Sequence, residues 1–291
     1  MGTLDRAVDR SHNSEVRIKN SKLNIQNCPV GVFGVPWDEK SSYLRGCADA
    51  PTKIWEAFNS YSTNRSAENG YDLGKDENFT FQGNMELSSG DEVVDEIAKQ
   101  SSEIIEKGIT PLFLGGDHAV TYPLVKGLAE HHKKINILHF DAHPDLYDNL
   151  EGDKYSHACP FARLWEEGLI TRHVAVGIRT MNRHQKEQAE KFGSEIIDMM
   201  SFDPNMVIEF DGPVYISLDL DVLDPAFAPG ISHYEPGGMT TRELIRIIQN
   251  FKGNLIGADI VEYNHTRDVN GVTAMVAAKL MKEVAVRLLE D

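Results

Sequence analysis

The chain has 291 residues, of which 41% are hydrophobic and 25% charged, with 23 Gly and 12 Pro, so disordered and fibrous classes are excluded. Its 29 Lys and Arg against 45 Asp and Glu leave a net charge of −16, the wrong sign for a phosphate backbone or an anionic membrane. Nucleic acid is therefore not expected as a partner, and no apolar run approaches the ~20 residues that span a bilayer.

In chain order, the polar segment 1–27 reads as an N-terminal arm, and the catalytic unit is expected over 28–291. Strand Pro29–Val35 and helix Pro51–Ser60 come first. The polar stretch Asn59–Met85 has few apolar anchors and is expected as a surface excursion. Helix Glu92–Lys107, strand Ile109–Leu114, helix Val120–His131 and strand Ile135–Phe140 follow. Next come helix His157–Glu167, strand His173–Gly177, helix Arg183–Phe192 and strand Val214–Leu218. Helix Thr241–Asn250, strand Leu255–Ile260 and a helix through Met275–Leu289 complete the chain. INILHF and PVYISLDL are continuously apolar, as strands covered on both faces must be. The alternation predicts one three-layer α/β/α domain with a mostly parallel central sheet, undivided by repeats or linkers.

In an open parallel sheet the ligand crevice lies beyond the carboxyl ends of the strands. Here those ends are acidic. The strand ending at Phe140 runs into Asp141, His143 and Asp145, whose i, i+2, i+4 spacing brings them to one side if the chain stays extended. A second strand runs into Asp219 and Asp221, a third into Gly115-Gly116-Asp117-His118, and a fourth ends at Glu262. Glycines before His118 would permit a tight turn. So many carboxylates in one crevice repel one another unless a cation neutralises them. Oxygen donors with two imidazoles suit a hard-to-borderline ion such as Mn²⁺, and the number of donors suits two ions sharing carboxylates better than one.

Other candidates have simpler readings. His131 and His132 read as solvated surface, and His139 alternates away from the crevice into the core. His233 stays undecided. Cys28, Cys47 and Cys159 are odd in number and far apart, which fits reduced thiols and suggests a cytoplasmic protein.

The blocks GGDHAV (115–120), HFDAHPDLYD (139–148), SLDLDVLDPAFAPG (217–230) and DIVEYNHTRD (259–268) resemble, in order, those of the ureohydrolases, the binuclear manganese family of arginases and agmatinases. KYSHACPFAR, DPAFAPGISHYEPGG and TAMVAAKL are most similar to the plant-type arginases, and His157-Ala158-Cys159 replaces the His-Gly-Thr-like stretch usual in agmatinases. The resemblance implies an arginase-like fold and two Mn²⁺ per chain. One would be held by His118, Asp141, Asp145 and Asp219, the other by Asp141, His143, Asp219 and Asp221. It further implies a cationic guanidino substrate cleaved to urea and a primary amine. Asp145 would pass the proton to the leaving amine, Glu262 would pair with the guanidinium, and His157 would shuttle protons at the mouth. It also implies a homo-oligomer, trimer or hexamer. L-arginine is the expected substrate, with agmatine or guanidinobutyrate as alternatives. The stretch 147–156 is expected at the mouth, with Asn149, Lys154 or Ser156 donating to a substrate carboxylate. A non-catalytic relative would be free to lose ligands that are all intact here, and a single-zinc deacetylase is disfavoured by the GGDH and EYN motifs.

Overall fold

Eight parallel strands form the central sheet in the order β2-β1-β3-β8-β7-β4-β5-β6, in a computed structural model that describes residues 29–290. The strands are β1 (Val30–Gly34), β2 (Phe79–Asn84), β3 (Thr110–Leu114), β4 (Ile135–Phe140), β5 (Ile170–Ile178), β6 (Glu195–Asp198), β7 (Glu209–Asp219) and β8 (Lys252–Val261). The helices are α1 (Ala50–Phe58), α2 (Glu92–Glu106), α3 (Thr121–Ala129), α4 (Pro160–Glu166), α5 (Arg183–Phe192), α6 (Thr241–Asn250) and α7 (Val272–Glu290). The proposed arm 1–27 and Cys28 lie outside the described residues.

Strand side chains alternate between two cores because helices cover both faces of the sheet. Leu138, Phe140, Ile216 and Leu218 pack with Ile54, Leu244, Ile248, Leu280 and Val284 from α1, α6 and α7. Ile135, Ile137 and Tyr215 face the other way, into Val93, Ile97, Leu124, Leu128 and Phe161 from α2, α3 and α4. Consecutive strands diverge from the middle of the sheet, since β3 is followed by β4 with two strands, β8 and β7, between them. The crevice expected at such a reversal therefore opens over β3, β8, β7 and β4.

Two expectations are corrected and one strand is added. The stretch 59–85 is not merely a surface excursion, because its end forms β2, the edge strand beside β1. Its anchors are aromatic: Trp55 stacks on Phe58 at 4.9 Å and on Phe81 at 5.0 Å, and Phe79 meets Phe58 edge-on at 5.9 Å. Strand β6, at the opposite edge, is only four residues long, and its two isoleucines between Glu195 and Asp198 are too short a run to stand out. The helix expected from His157 begins only at Pro160, a residue that fits the first turn of a helix and leaves His157 in the turn before it.

Candidate active site and metal centre

The crevice is built by short capped turns at the strand ends rather than by strands running on. Asp145 has φ +46°, so the chain turns back at the end of Asp141–Asp145 instead of extending through it. Asp219 Oδ1 accepts the Asp221 N–H at 2.7 Å, closing a 3₁₀ turn over Leu220–Val222. His118 opens another such turn, capped by Asp117 Oδ1 on the Ala119 N–H at 3.1 Å. Gly116 is needed for closeness rather than for a left-handed turn: a Cβ there would lie 1.7 Å from the Trp37 carbonyl oxygen.

Six of the expected residues come together. Nδ1 of His118 lies 3.0 Å from Asp141 Oδ2, 3.0 Å from Asp145 Oδ2 and 3.3 Å from Asp219 Oδ2. Nδ1 of His143 lies 3.0 Å from Asp221 Oδ2 and 3.3 Å from Asp141 Oδ1. The distances divide the residues into two groups that share Asp141. In the first group, His118 Nδ1 is buried and makes no hydrogen bond of acceptable geometry to any of the three oxygens around it. Donor atoms that converge without bonding one another could hold a metal, carboxylates with imidazole suit a divalent ion, and His118, His139 and Asp141, and likewise Asp141, His143 and Asp221, place possible ligand atoms within 4.8 Å of one another.

The electrostatics point the same way. Burial opposes a charged His118, but the carboxylates of Asp141, Asp145 and Asp219 outweigh it and push its pKa well above the usual histidine range. His143 is raised well above that range against the same burial by Asp221 and Asp141. Asp219 and Asp221 are pushed up by burial and then by neighbouring carboxylates. For Asp141, burial is overcome by the imidazoles of His139, His118 and His143, which hold it well down. The cluster draws in positive charge, and a metal ion supplies it without a proton.

Behind these residues stands a second layer whose role the sequence did not show, although His139, Ser217 and Asp259 open three of the motif blocks. His118 Nε2 bonds Ser217 Oγ at 3.0 Å, and Ser217 donates to Asp259 Oδ1 at 2.9 Å. Thr121 and Tyr215 donate to the other Asp259 oxygen at 2.8 and 2.9 Å. His139 is core as expected, yet its Nε2 lies 2.8 Å from Asp141 Oδ2. Its Nδ1 bonds His173 Nε2 at 3.2 Å, and His173 Nδ1 bonds Ser194 Oγ at 3.0 Å. The Phe161 ring covers both imidazoles, at 4.0 and 4.5 Å between centroids. Such partners fix a ligand's orientation and basicity.

Glu262 sits across the crevice with φ +63°, a left-handed conformation unusual for Glu and most easily kept at a functional site. Its Oε1 accepts the His118 backbone N–H and a bond from His157 Nδ1, both at 3.0 Å, and its Oε2 accepts from Cys47 Sγ at 3.5 Å. Burial favours protonation of Glu262, but His157 and His118 hold its pKa at about 2. The reciprocal effect lifts His157, against burial, to about 9. Nε2 of His157 bonds Ser42 Oγ at 2.8 Å. Ser42 arrives on a loop tied down by Asp117, whose Oδ2 accepts the Lys40 N–H at 2.9 Å.

Glu262, His157, Ser42, His143, Asp145, Asp219 and Asp221 line a cavity of about 250 Å³ together with Tyr147, Thr180, Asn182, Gln185 and His233. The structure does not bring Asn149 to it. Asn149 is exposed and its Oδ1 accepts the Gly152 N–H, so Tyr147 and Leu150 supply the wall from that segment. Nor do Lys154 and Ser156 line it: Lys154 lies over the Tyr155 ring and Ser156 Oγ accepts the Ala158 N–H. Thr180, Asn182 and Gln185 reach the wall from the segment after β5 and the start of α5, an end that carries no acidic motif. Cys159 is buried, and burial together with Asp145 lifts its thiol to about 12, so it stays protonated.

A model of the Arginase family matches residues 28–286. The chain belongs to the arginase family. Arginase 1, mitochondrial, of Arabidopsis thaliana is 42% identical over 89% of this chain and 81% of its own length. The solved arginase from Medicago truncatula has a TM-score of 0.86 and 38% identity, covering 90% of this chain and 88% of that one. An agmatinase of Bacillus anthracis is 31% identical over 95% and 97% of the two chains. The mitochondrial name of the Arabidopsis relative overturns the cytoplasmic expectation, and the free thiols of Cys47 and Cys159 do not assign a compartment. No helix among the described residues is long and apolar enough to cross a membrane.

Proposed function

We propose that this arginase-family chain hydrolyses L-arginine to L-ornithine and urea with two Mn²⁺, one held by His118, Asp141, Asp145 and Asp219 and the other by Asp141, His143, Asp219 and Asp221. The observation that carries the proposal is the division of these residues into two convergent groups sharing Asp141, opposite a carboxylate kept ionised. Bound by these residues, the ions would lower the pKa of a coordinated water enough to supply a nucleophile near neutral pH. Glu262 accepts guanidinium N–H groups and holds the central carbon against the cluster. As the C–N bond to the side-chain nitrogen breaks, Asp145 hands that nitrogen the proton released by the water, leaving urea and a primary amine. His157 carries protons between this pocket and solvent.

L-arginine is favoured over agmatine by the outer wall. Thr180, Asn182 and Gln185 present hydroxyl and amide groups, each able both to donate and to accept, as an α-carboxylate and an α-ammonium require. Identity to the Arabidopsis arginase also exceeds that to the agmatinase. We further propose a homo-oligomer, trimer or hexamer, which light scattering would size. The deciding experiment measures kcat/KM for L-arginine, agmatine and 4-guanidinobutyrate on one preparation, with metal analysis alongside. L-arginine should lead with two Mn²⁺ per chain. A lead for either other compound would refute the substrate, and full activity with one ion would refute the binuclear centre.

A further inference from the structure

The two ring nitrogens of His157 have different partners: Nδ1 faces Glu262 Oε1 at 3.0 Å, and Nε2 faces Ser42 Oγ at 2.8 Å. An ionised carboxylate only accepts hydrogen bonds, so the nitrogen facing Glu262 carries a proton whether the ring is neutral or charged. The proton that the ring gains and loses is therefore the one on Nε2. A hydroxyl both donates and accepts, so Ser42 serves that nitrogen in either state, donating to the bare Nε2 and accepting from the protonated one. No other group among the described residues bonds Nε2.

Ser42 is held in this place from several directions. Lys40, two residues earlier, gives its N–H to Asp117 Oδ2, and its carbonyl accepts the His157 N–H at 3.3 Å. Loop and imidazole are thus tied through the backbone as well as through the side chains. Ser41 Oγ donates to the same Asp117 oxygen at 3.3 Å, and the Lys40 ammonium bonds Asp91 and Asp153 at 2.6 and 2.8 Å. The ring stacks on His233 at 5.3 Å and lies in the field of the Glu262, Asp117 and Asp145 carboxylates. His157 is buried, whereas Ser42 is exposed and lines the cavity, so the hydroxyl stands where a buried nitrogen meets water.

We propose that Ser42 is a positioning residue that holds the His157 ring through Nε2 and relays that nitrogen's proton to water. This rests on the guanidino-hydrolase reading and gives its proton shuttle a route. On the way out, Nε2–H passes its proton to Ser42 Oγ while the hydroxyl releases its own to water, which leaves a neutral ring and an intact hydroxyl. The reverse sequence recharges the ring.

The test compares Ser42→Ala, which removes the hydroxyl, with Ser42→Thr, which keeps it. In dilute buffer Ser42→Ala should lower kcat for L-arginine about tenfold or more, with KM and metal content close to wild type. Added imidazole should restore much of the loss as an external proton carrier, a response that a packing role would not give, and Ser42→Thr should retain most of the wild-type kcat. An unchanged kcat in Ser42→Ala, an effect on KM alone, or a loss that imidazole does not relieve would each overturn the relay. If the wild type releases urea from no guanidino compound, the functional reading itself fails, and nitrogen NMR of the imidazole rings then decides the contact. Titrated to its neutral form, His157 should keep its proton on Nδ1, and its Nε2 resonance should move in Ser42→Ala. A proton found on Nε2 of the neutral ring, or an unmoved resonance, would refute the assignment.

Discussion

The metal cluster and the mouth of the cavity share one crevice but are held in different ways. The cluster residues sit at the ends of β3, β4 and β7, and most are braced from behind: His118 by Ser217 and Asp259, Asp141 by His139 and His173, and Asp219 by its bond to the Asp221 N–H. Asp141, Asp219 and Asp221 are almost wholly buried. Thr180 and Asn182 at the mouth belong to the segment after β5 and are half-buried or exposed. Asn182 also caps α5, through Oδ1 on the Gln185 N–H at 2.9 Å, and its Nδ2 reaches Tyr147 Oη. A braced cluster suits chemistry that requires fixed donors, and a loop-built mouth suits a substrate tail that can vary without disturbing them.

That contrast predicts graded effects. The largest is expected inside the cluster. Asp145→Asn removes a proposed ligand and proton carrier, while Asn tolerates the left-handed backbone there, so backbone strain should not confuse the result. Turnover should fall on the order of 10²–10⁴-fold with reduced metal content, measured by urea release and elemental analysis. An intermediate effect is expected one layer back. His139→Ala leaves the proposed ligands in place but frees one Asp141 oxygen from its brace, so metal affinity, read by titration of the metal-free protein, should weaken about 10–100-fold. Unchanged affinity would show that the histidine pair is packing alone. The smallest effects belong to the mouth. Asn182→Ala should raise the KM for L-arginine several-fold and cost about 1 kcal/mol of stability through the lost cap. Asn149→Ala should fall within about 0.5 kcal/mol of wild type in both stability and transition-state binding, since its side chain serves only a surface turn. A larger loss at Asn149 would mean that this loop closes over the substrate.

The acidic strand ends and the βαβ alternation were legible because each is local: an apolar run followed within five residues by carboxylates needs only the strand period to be noticed. The second layer was not. His139, Ser217 and Asp259 are lone polar residues in apolar strands, which in a sequence look like satisfied core positions, and their partners lie up to 138 residues away. The mouth misled for a related reason. Segment 147–156 follows the cluster directly in the chain, yet Asn149 turns to the Gly152 N–H, while Thr180, Asn182 and Gln185 reach the cavity from the neighbouring strand.

By itself the sequence determined the doubly covered sheet, the places where acidic side chains leave it, and the need for a cation, because periodicity and charge density are properties of short stretches of chain. Only the tertiary structure decided which donors come together, which imidazoles stand behind them, and how His157, Glu262 and His233 meet around one pocket. Those relations depend on strand order, with β8 and β7 inserted between β3 and β4, and on capped turns that redirect side chains by a few ångströms. Strand order is fixed by the packing of seven helices against two faces at once, a property of the whole described fold that no single stretch of chain contains.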